Sequence, residues 1–233
     1  MSVLRSCLTL VLLTFLTVAA VAEESTSLFN GQTLDGWIQK GGKASFVARD
    51  GAIVGHSVPM TPNSFLCTKK RYSDFVLVYE YKCDNELNSG VQIRSNVFDK
   101  PTVVEFDGKT KTIAAGRVHG YQVEIDPNKP DRMWSGGIYD EGRRGWLYPG
   151  LRGGDAKAFT AQGKQIYKPE DWNKVRVECR GHRIRTWLNG ELRADFEDAA
   201  TSEGFIALQV HGVGSKTKPL FVRWRNLKIT ELK

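Results

Sequence analysis

The chain has 233 residues, a formal net charge of +7 and a charged fraction of 25%, with basic and acidic residues interspersed. Because no Lys/Arg run is longer than the three residues Lys69-Lys70-Arg71, the positive excess reads as solvated surface and excludes an obvious nucleic-acid footprint. The four cysteines have no C-x-x-C spacing, which argues against a zinc site.

Residues 1–22 read as a signal peptide. Met1 to Arg5 is a positive start, Leu8 to Val21 is apolar, and Ala20-Val21-Ala22 has the small-x-small form of a cleavage site. The apolar run is short for a membrane span. The expectation is therefore a periplasmic or secreted protein with no span once this segment is removed. Residues 23–233, about 210 residues, suit a single all-β domain. Cys67, Cys83 and Cys179 remain, either as one disulfide plus a free thiol or as three buried thiols.

Strand signals follow from end to end. Asp50-Gly51 in "FVARDGAIVG" (46–55) and Asn189-Gly190 in "IRTWLNGELRADF" (184–196) sit between apolar runs and predict type I′ hairpins. Further strands are predicted over 74–83, 89–95, 121–126, 172–180, 203–212 and 221–232, with no long stretch of 3.6-residue periodicity and no internal repeat. This pattern predicts an all-β jelly-roll sandwich of two antiparallel sheets. The segment 127–170 is rich in Gly, Arg and aromatics, and its length predicts a lid or wall over a site.

Strand parity suggests where that site lies. In "HGYQVEID" (119–126), Gln122, Glu124 and Asp126 share one face and Tyr121, Val123 and Ile125 the other. Gln92 and Arg94 share a face of "GVQIRS", and Gln209 and His211 share one of "GFIALQVHG". A solvated face explains any one of these rows. Together they predict one open polar surface, with Tyr139, Arg143, Arg144 or Trp146 of the long segment facing it. Aromatic platforms beside Arg, Gln and carboxylate partners suit a carbohydrate. Glu124 and Asp126, with His119 or His211, also suit a divalent cation.

"SLFNGQTLDGWIQKGG", "NSGVQIRS", "HGYQVEID", "SGGIYDEGRRGWL", "DWNKVRVECRGHRIRTWLNG", "GFIALQVHG" and "VRWRNLKITEL" resemble, in order, segments of the 3-keto-disaccharide hydrolase family. The resemblance implies a concanavalin-like jelly roll acting on 3-keto-glycosides, sugars already oxidised by a partner sugar 3-dehydrogenase. It implies cleavage as a hydrolase, or as a 1,2-lyase that also hydrates the 3-keto-2-hydroxy-glucal product. The motif-matched positions are Arg94, Gln122, Glu124, Asp126, Tyr139, Gln209 and His211. The expected roles are His211, or else His119, as proton acceptor and Arg94 as enolate stabiliser. Glu124 with Asp126 would hold a cation or protonate the leaving oxygen. Gln92, Gln122, Gln209, Arg143, Arg144 and Trp146 are expected to bind substrate. The alternative is a non-catalytic, lectin-like carbohydrate-binding module.

Overall fold

The structure, a computed structural model, describes residues 24–126 and 129–233. The predicted signal segment, 1–22, lies outside the described residues. In chain order the strands are β1 (Ser25–Ser27), β2 (Trp37–Gly41), β3 (Ser45–Arg49), β4 (Ala52–His56), β5 (Ser64–Thr68), β6 (Phe75–Cys83) and β7 (Ser89–Asn96). They continue as β8 (Thr102–Phe106), β9 (Lys109–Ile113), β10 (His119–Ile125), β11 (Ile138–Glu141) and β12 (Gly145–Tyr148). After the helix α1 (Ala156–Ile166) come β13 (Asn173–Arg180), β14 (Arg183–Leu188), β15 (Glu191–Glu197), β16 (Phe205–Val210) and β17 (Phe221–Glu231).

One sheet runs β15-β14-β13-β6-β17-β4-β3, with β1 added to β17; the other runs β12-β11-β10-β7-β16-β5-β2; β8 and β9 form a separate hairpin. The named pairings are antiparallel throughout. The predicted two-sheet sandwich is thus what the chain adopts. Asp50-Gly51 and Asn189-Gly190 both take positive φ between paired strands, as the primed turns require.

The core lies between the sheets. Tyr121, Val123 and Ile125 of β10 pack with Leu77, Tyr79 and Tyr81 of β6 and Trp224 of β17. With Tyr121, Val123 and Ile125 turned inward, Gln122 and Glu124 must face outward. That outer face is not bare: Gln92, Gln122, Glu124 and Gln209 are all buried. Cys67, Cys83 and Cys179 are buried free thiols, and burial pushes Cys67 and Cys179 up to about 12. No helix among the described residues is long and apolar enough to cross a membrane.

Candidate functional site

The centre of the site is a chain of hydrogen bonds along the outer face. Gln122 stands opposite Gln92 across β10 and β7, and Tyr139 of β11 stands opposite Gln122 on the other side. Ser95 Oγ donates to Gln92 Oε1 (2.8 Å), Gln92 Nε2 donates to Gln122 Oε1 (2.7 Å), and Gln122 Nε2 donates to Glu124 Oε2 (2.9 Å). Asn88 Nδ2 donates to the other carboxylate oxygen of Glu124 at 2.5 Å. Gly90 makes the route possible. A Cβ there would fall 2.5 Å from Gln122 Cγ and Cδ, so only glycine leaves the amide room to cross the strand.

Glu124 is 3% exposed. Burial lifts its carboxyl from 4.5 to about 7; the Asn88 donor opposes the rise, and the neighbouring Asp126 charge adds to it. It lines a cleft of about 280 Å³ with Asn63, Asn88, Gln122, Arg132, Tyr139, Glu141, Trp146 and His211. The structure therefore brings together Gln122, Glu124, Tyr139, Trp146 and His211, with Gln92 directly behind. Gln209 lies on the same face, across Gly90 from Glu124. It is buried, and neither amide atom has a hydrogen-bond partner in the protein. Such a group loses its solvation without recompense unless something else binds it. His211 is exposed at the rim, with Nδ1 2.8 Å from Gly212 O.

The cation of the cleft is Arg132, not Arg94. Arg132 Nε and Nη2 reach Asp126 Oδ2 and Oδ1 at 2.9 and 2.6 Å, and its guanidinium carbon lies 5.1 Å from the Trp134 ring centre and 5.4 Å from that of Trp146. Trp134 and Trp146 meet edge to face at 4.5 Å, and Trp134 Nε1 donates to Thr160 Oγ1 of α1. The described part of the long segment, 129–170, thus forms a wall, braced by a helix that the sequence reading did not predict.

Several expected members lie elsewhere. Arg94 is turned off the face by a bulge: His119 pairs Asn96 and Tyr121 pairs Ile93, so Arg94 and Ser95 together stand against Gly120. Arg94 takes φ +45°, is fully buried, and donates to Ser73 O, Gly181 O and Asp74 Oδ1 at 2.6, 2.7 and 2.7 Å. Arg143 and Arg144 are also away from the cleft. Asp140 alternates with Tyr139 and Glu141 on β11, so it points inward and draws both guanidiniums with it, at 2.7 Å for Arg143 and 2.6 Å for Arg144. Arg144 continues to Asp198, which also accepts from the Tyr121 hydroxyl.

The cation set does not assemble. Asp126 is occupied by Arg132 and by the Trp134 amide (3.0 Å), each Glu124 oxygen takes an amide donor, and His119 lies buried against Phe98 with ring centres 4.6 Å apart. Burial, aided by Arg143 and Arg117, lowers His119 to about 4. Among the described residues no group of three His, Cys, Asp or Glu side chains is placed to hold a metal ion. Sequence reasoning missed Asn63, Asn88, Arg132 and Glu141. Of these only Glu141 carried a signal, its period-two spacing from Tyr139 in "IYDEG".

Comparison with known proteins gives the following. The family model of the 3-keto-alpha-glucoside-1,2-lyase-like domain matches residues 24–230. No curated protein matches. A glycosyl hydrolase candidate from Parabacteroides distasonis ATCC 8503 superposes with a TM-score of 0.56 at 23% identity, covering 94% of this chain and 99% of that one. A galectin-like protein of unknown function from Bacillus subtilis gives 0.56 at 9% identity, covering 85% and 90%. A carbohydrate-binding module from the same species gives 0.50 at 14%, covering 87% and 98%. At these identities the superpositions establish a shared fold.

Proposed function

The chain belongs to the 3-keto-alpha-glucoside-1,2-lyase-like family, and on that premise we propose that it cleaves 3-keto-glucosides by elimination across C1 and C2 followed by hydration. The observation that carries this reading is Glu124, a buried carboxyl poised at about 7 in a polar cleft. A ketone at C3 acidifies the C2 proton, and a base whose pKa lies near the working pH is suited to remove it. The upward shift a carboxylate needs for that task is what burial of Glu124 supplies.

In the proposed sequence the Glu124 carboxylate takes the C2 proton and negative charge develops on the C3 oxygen. Arg132, fixed by Asp126 and stacked on two tryptophans, is the cation available to that oxygen. The electron pair then forms the C1–C2 double bond and the C1–oxygen bond breaks. The Glu124 proton exchanges with solvent while the unsaturated sugar is held, water adds at C1 and Glu124 protonates C2, so Glu124 ends as it began. Tyr139 and Trp146 offer ring faces to the sugar C–H surface, and the Asn63 and Asn88 amides at the cleft wall offer donors and acceptors to its hydroxyls. No step is routed through a metal cation, since no group of three His, Cys, Asp or Glu side chains among the described residues is placed to hold one. The substrate would come from a sugar 3-dehydrogenase, the class of enzyme that makes a C3 ketone.

A second proton acceptor is His211. The Gly212 carbonyl at its Nδ1 leaves Nε2 as the free nitrogen. Turnover of one 3-keto-glucoside by two variants separates the readings. Glu124→Gln is expected to lose ~10²–10⁴-fold and His211→Ala less than ~10-fold; the reverse ranking would transfer the proton step to His211. A wild-type chain that binds the ketone sugar without turning it over would instead support the carbohydrate-binding module.

A further inference from the structure

Glu141 is a second buried carboxylate of the cleft, and the proton acceptor described above makes no use of it. It lies at the end of β11, level with Gly120, whereas Glu124 lies four residues further along β10. Glu141 is 9% exposed, and burial raises its carboxyl above the ordinary range; Arg117 at 3.4 Å and His211 oppose the rise and Asp140 adds to it.

Its position is distinctive because two cavities meet there. Glu141 and Asn63 line both the central cleft and a second cavity of about 420 Å³. The second cavity is walled by Pro62, Phe65, Ala115 and Val118, together with Arg117, the ion-pair partner of Glu141. Phe65 and Val118 belong to an apolar cluster on the outer face of the sheet. Beyond Glu141 and its partner Arg117 the surface therefore changes from amide and carboxylate to the apolar side chains of Pro62, Phe65 and Val118. A glycoside has the same asymmetry when a polar sugar carries an apolar aglycone, with the scissile oxygen at the junction.

We propose that Glu141 is the general acid of the reaction, giving its proton to the leaving oxygen as the aglycone departs into the Phe65–Val118 cavity. This rests on the elimination reading above. As the C1–oxygen bond breaks, its electron pair goes to oxygen, which takes the Glu141 proton and leaves as a neutral alcohol. When water adds at C1, the Glu141 carboxylate accepts a proton from it and is restored. Glu141 and Glu124 thus trade opposite protons at opposite ends of one cleft. The cavity walls suit an aryl or alkyl aglycone.

The test compares the methyl and p-nitrophenyl glycosides of 3-keto-glucose. Methoxide needs a proton to leave, whereas nitrophenolate does not. Measured as alcohol release in the first turnover, before hydration calls on Glu141 again, Glu141→Gln is expected to lose ~10²–10³-fold on the methyl glycoside and less than ~10-fold on the nitrophenyl one. Retained nitrophenyl activity also reports that the variant is folded. Equal losses on both, with an active wild type, would overturn the acid role and leave the elimination reading standing. A wild type that releases neither alcohol would overturn the elimination reading and this inference with it. Ala115→Trp, on an exposed loop of the second cavity, tests the aglycone placement independently of Glu141. It should raise KM for the nitrophenyl glycoside at least ~10-fold with little change for the methyl one, as expected for occlusion of an aglycone subsite. Equal KM values for wild type and variant on both substrates would overturn the placement.

Discussion

Asp126 and Arg132 form a two-pronged ion pair at the end of β10, with the carboxylate fully enclosed and the guanidinium reaching into the cleft. The bidentate geometry fixes the orientation of Arg132, and Trp134 and Trp146 confine it further. Asp126→Asn is expected to lower kcat by ~10–100-fold with a smaller effect on KM, because it releases a charge needed as the enolate forms. Arg132→Lys should not restore activity, since a point charge cannot make both bonds. Steady-state kinetics on a 3-keto-glucoside decide this. A lysine variant with wild-type kcat would remove the orientation argument.

Gly90 gives a prediction about the route to Glu124. Gly90→Ala would push against the Gln122 side chain, so the Gln122 bond to Glu124 is lost. That bond favours the charged carboxylate, and without it the Glu124 pKa rises further. The rising limb of kcat/KM against pH should move to higher pH in the alanine variant. An unmoved limb would show that Gln122 does not set the basicity of Glu124.

Glu124 should also leave a mark on stability. Its folded-state pKa, about 7, lies above the ordinary 4.5, so the folded protein binds the extra proton between those values. The contribution is present below 4.5 and is lost as pH rises through about 7, worth up to ~3 kcal/mol. Denaturant unfolding of wild type at pH 5 and pH 8 should show this loss, and Glu124→Gln should show a smaller change. Parallel pH dependence in the two proteins would contradict the shift.

Arg94 is expected to be a structural clamp. It is buried and donates to three acceptors far from the cleft. Arg94→Ala should cost about 3 kcal/mol of stability while the folded fraction keeps its KM and kcat. A stable but inactive variant would return Arg94 to the chemistry.

The contrast between Arg94 and Gln92 explains what the sequence could and could not reveal. Strand parity put Gln92, Gln122, Glu124 and Gln209 on one face, because each lies in regular ladder, where period two is enforced by the pleat. Arg94 sits on a bulge, and a bulge reverses parity with no local residue signal strong enough to announce it. The primed hairpins at Asp50-Gly51 and Asn189-Gly190 were legible from their dipeptides. The same Asp-Gly pair at 107–108 joins β8 to β9, a hairpin the strand pattern alone did not reveal. Helix α1 buries only Phe159 and Gly163, too little apolar surface to mark a helical stripe. Its start is instead set by Asp155, which accepts from the Ala158 amide at 2.8 Å. Asn63, Asn88 and Arg132 come from loops and meet only when the sheet has assembled, so no spacing within the chain could place them.

The central claim is that C2 loses its proton during cleavage. The most direct measurement is isotopic: a 3-keto-glucoside is cleaved in D₂O, with spontaneous exchange subtracted, and the released 3-keto-sugar is examined by NMR and mass spectrometry. Elimination followed by hydration predicts deuterium at C2 in the enzyme-released product. Enzyme-dependent cleavage with protium retained at C2 would contradict the account and leave direct displacement at C1, with Glu124 and Glu141 as a paired-carboxylate hydrolase, in its place.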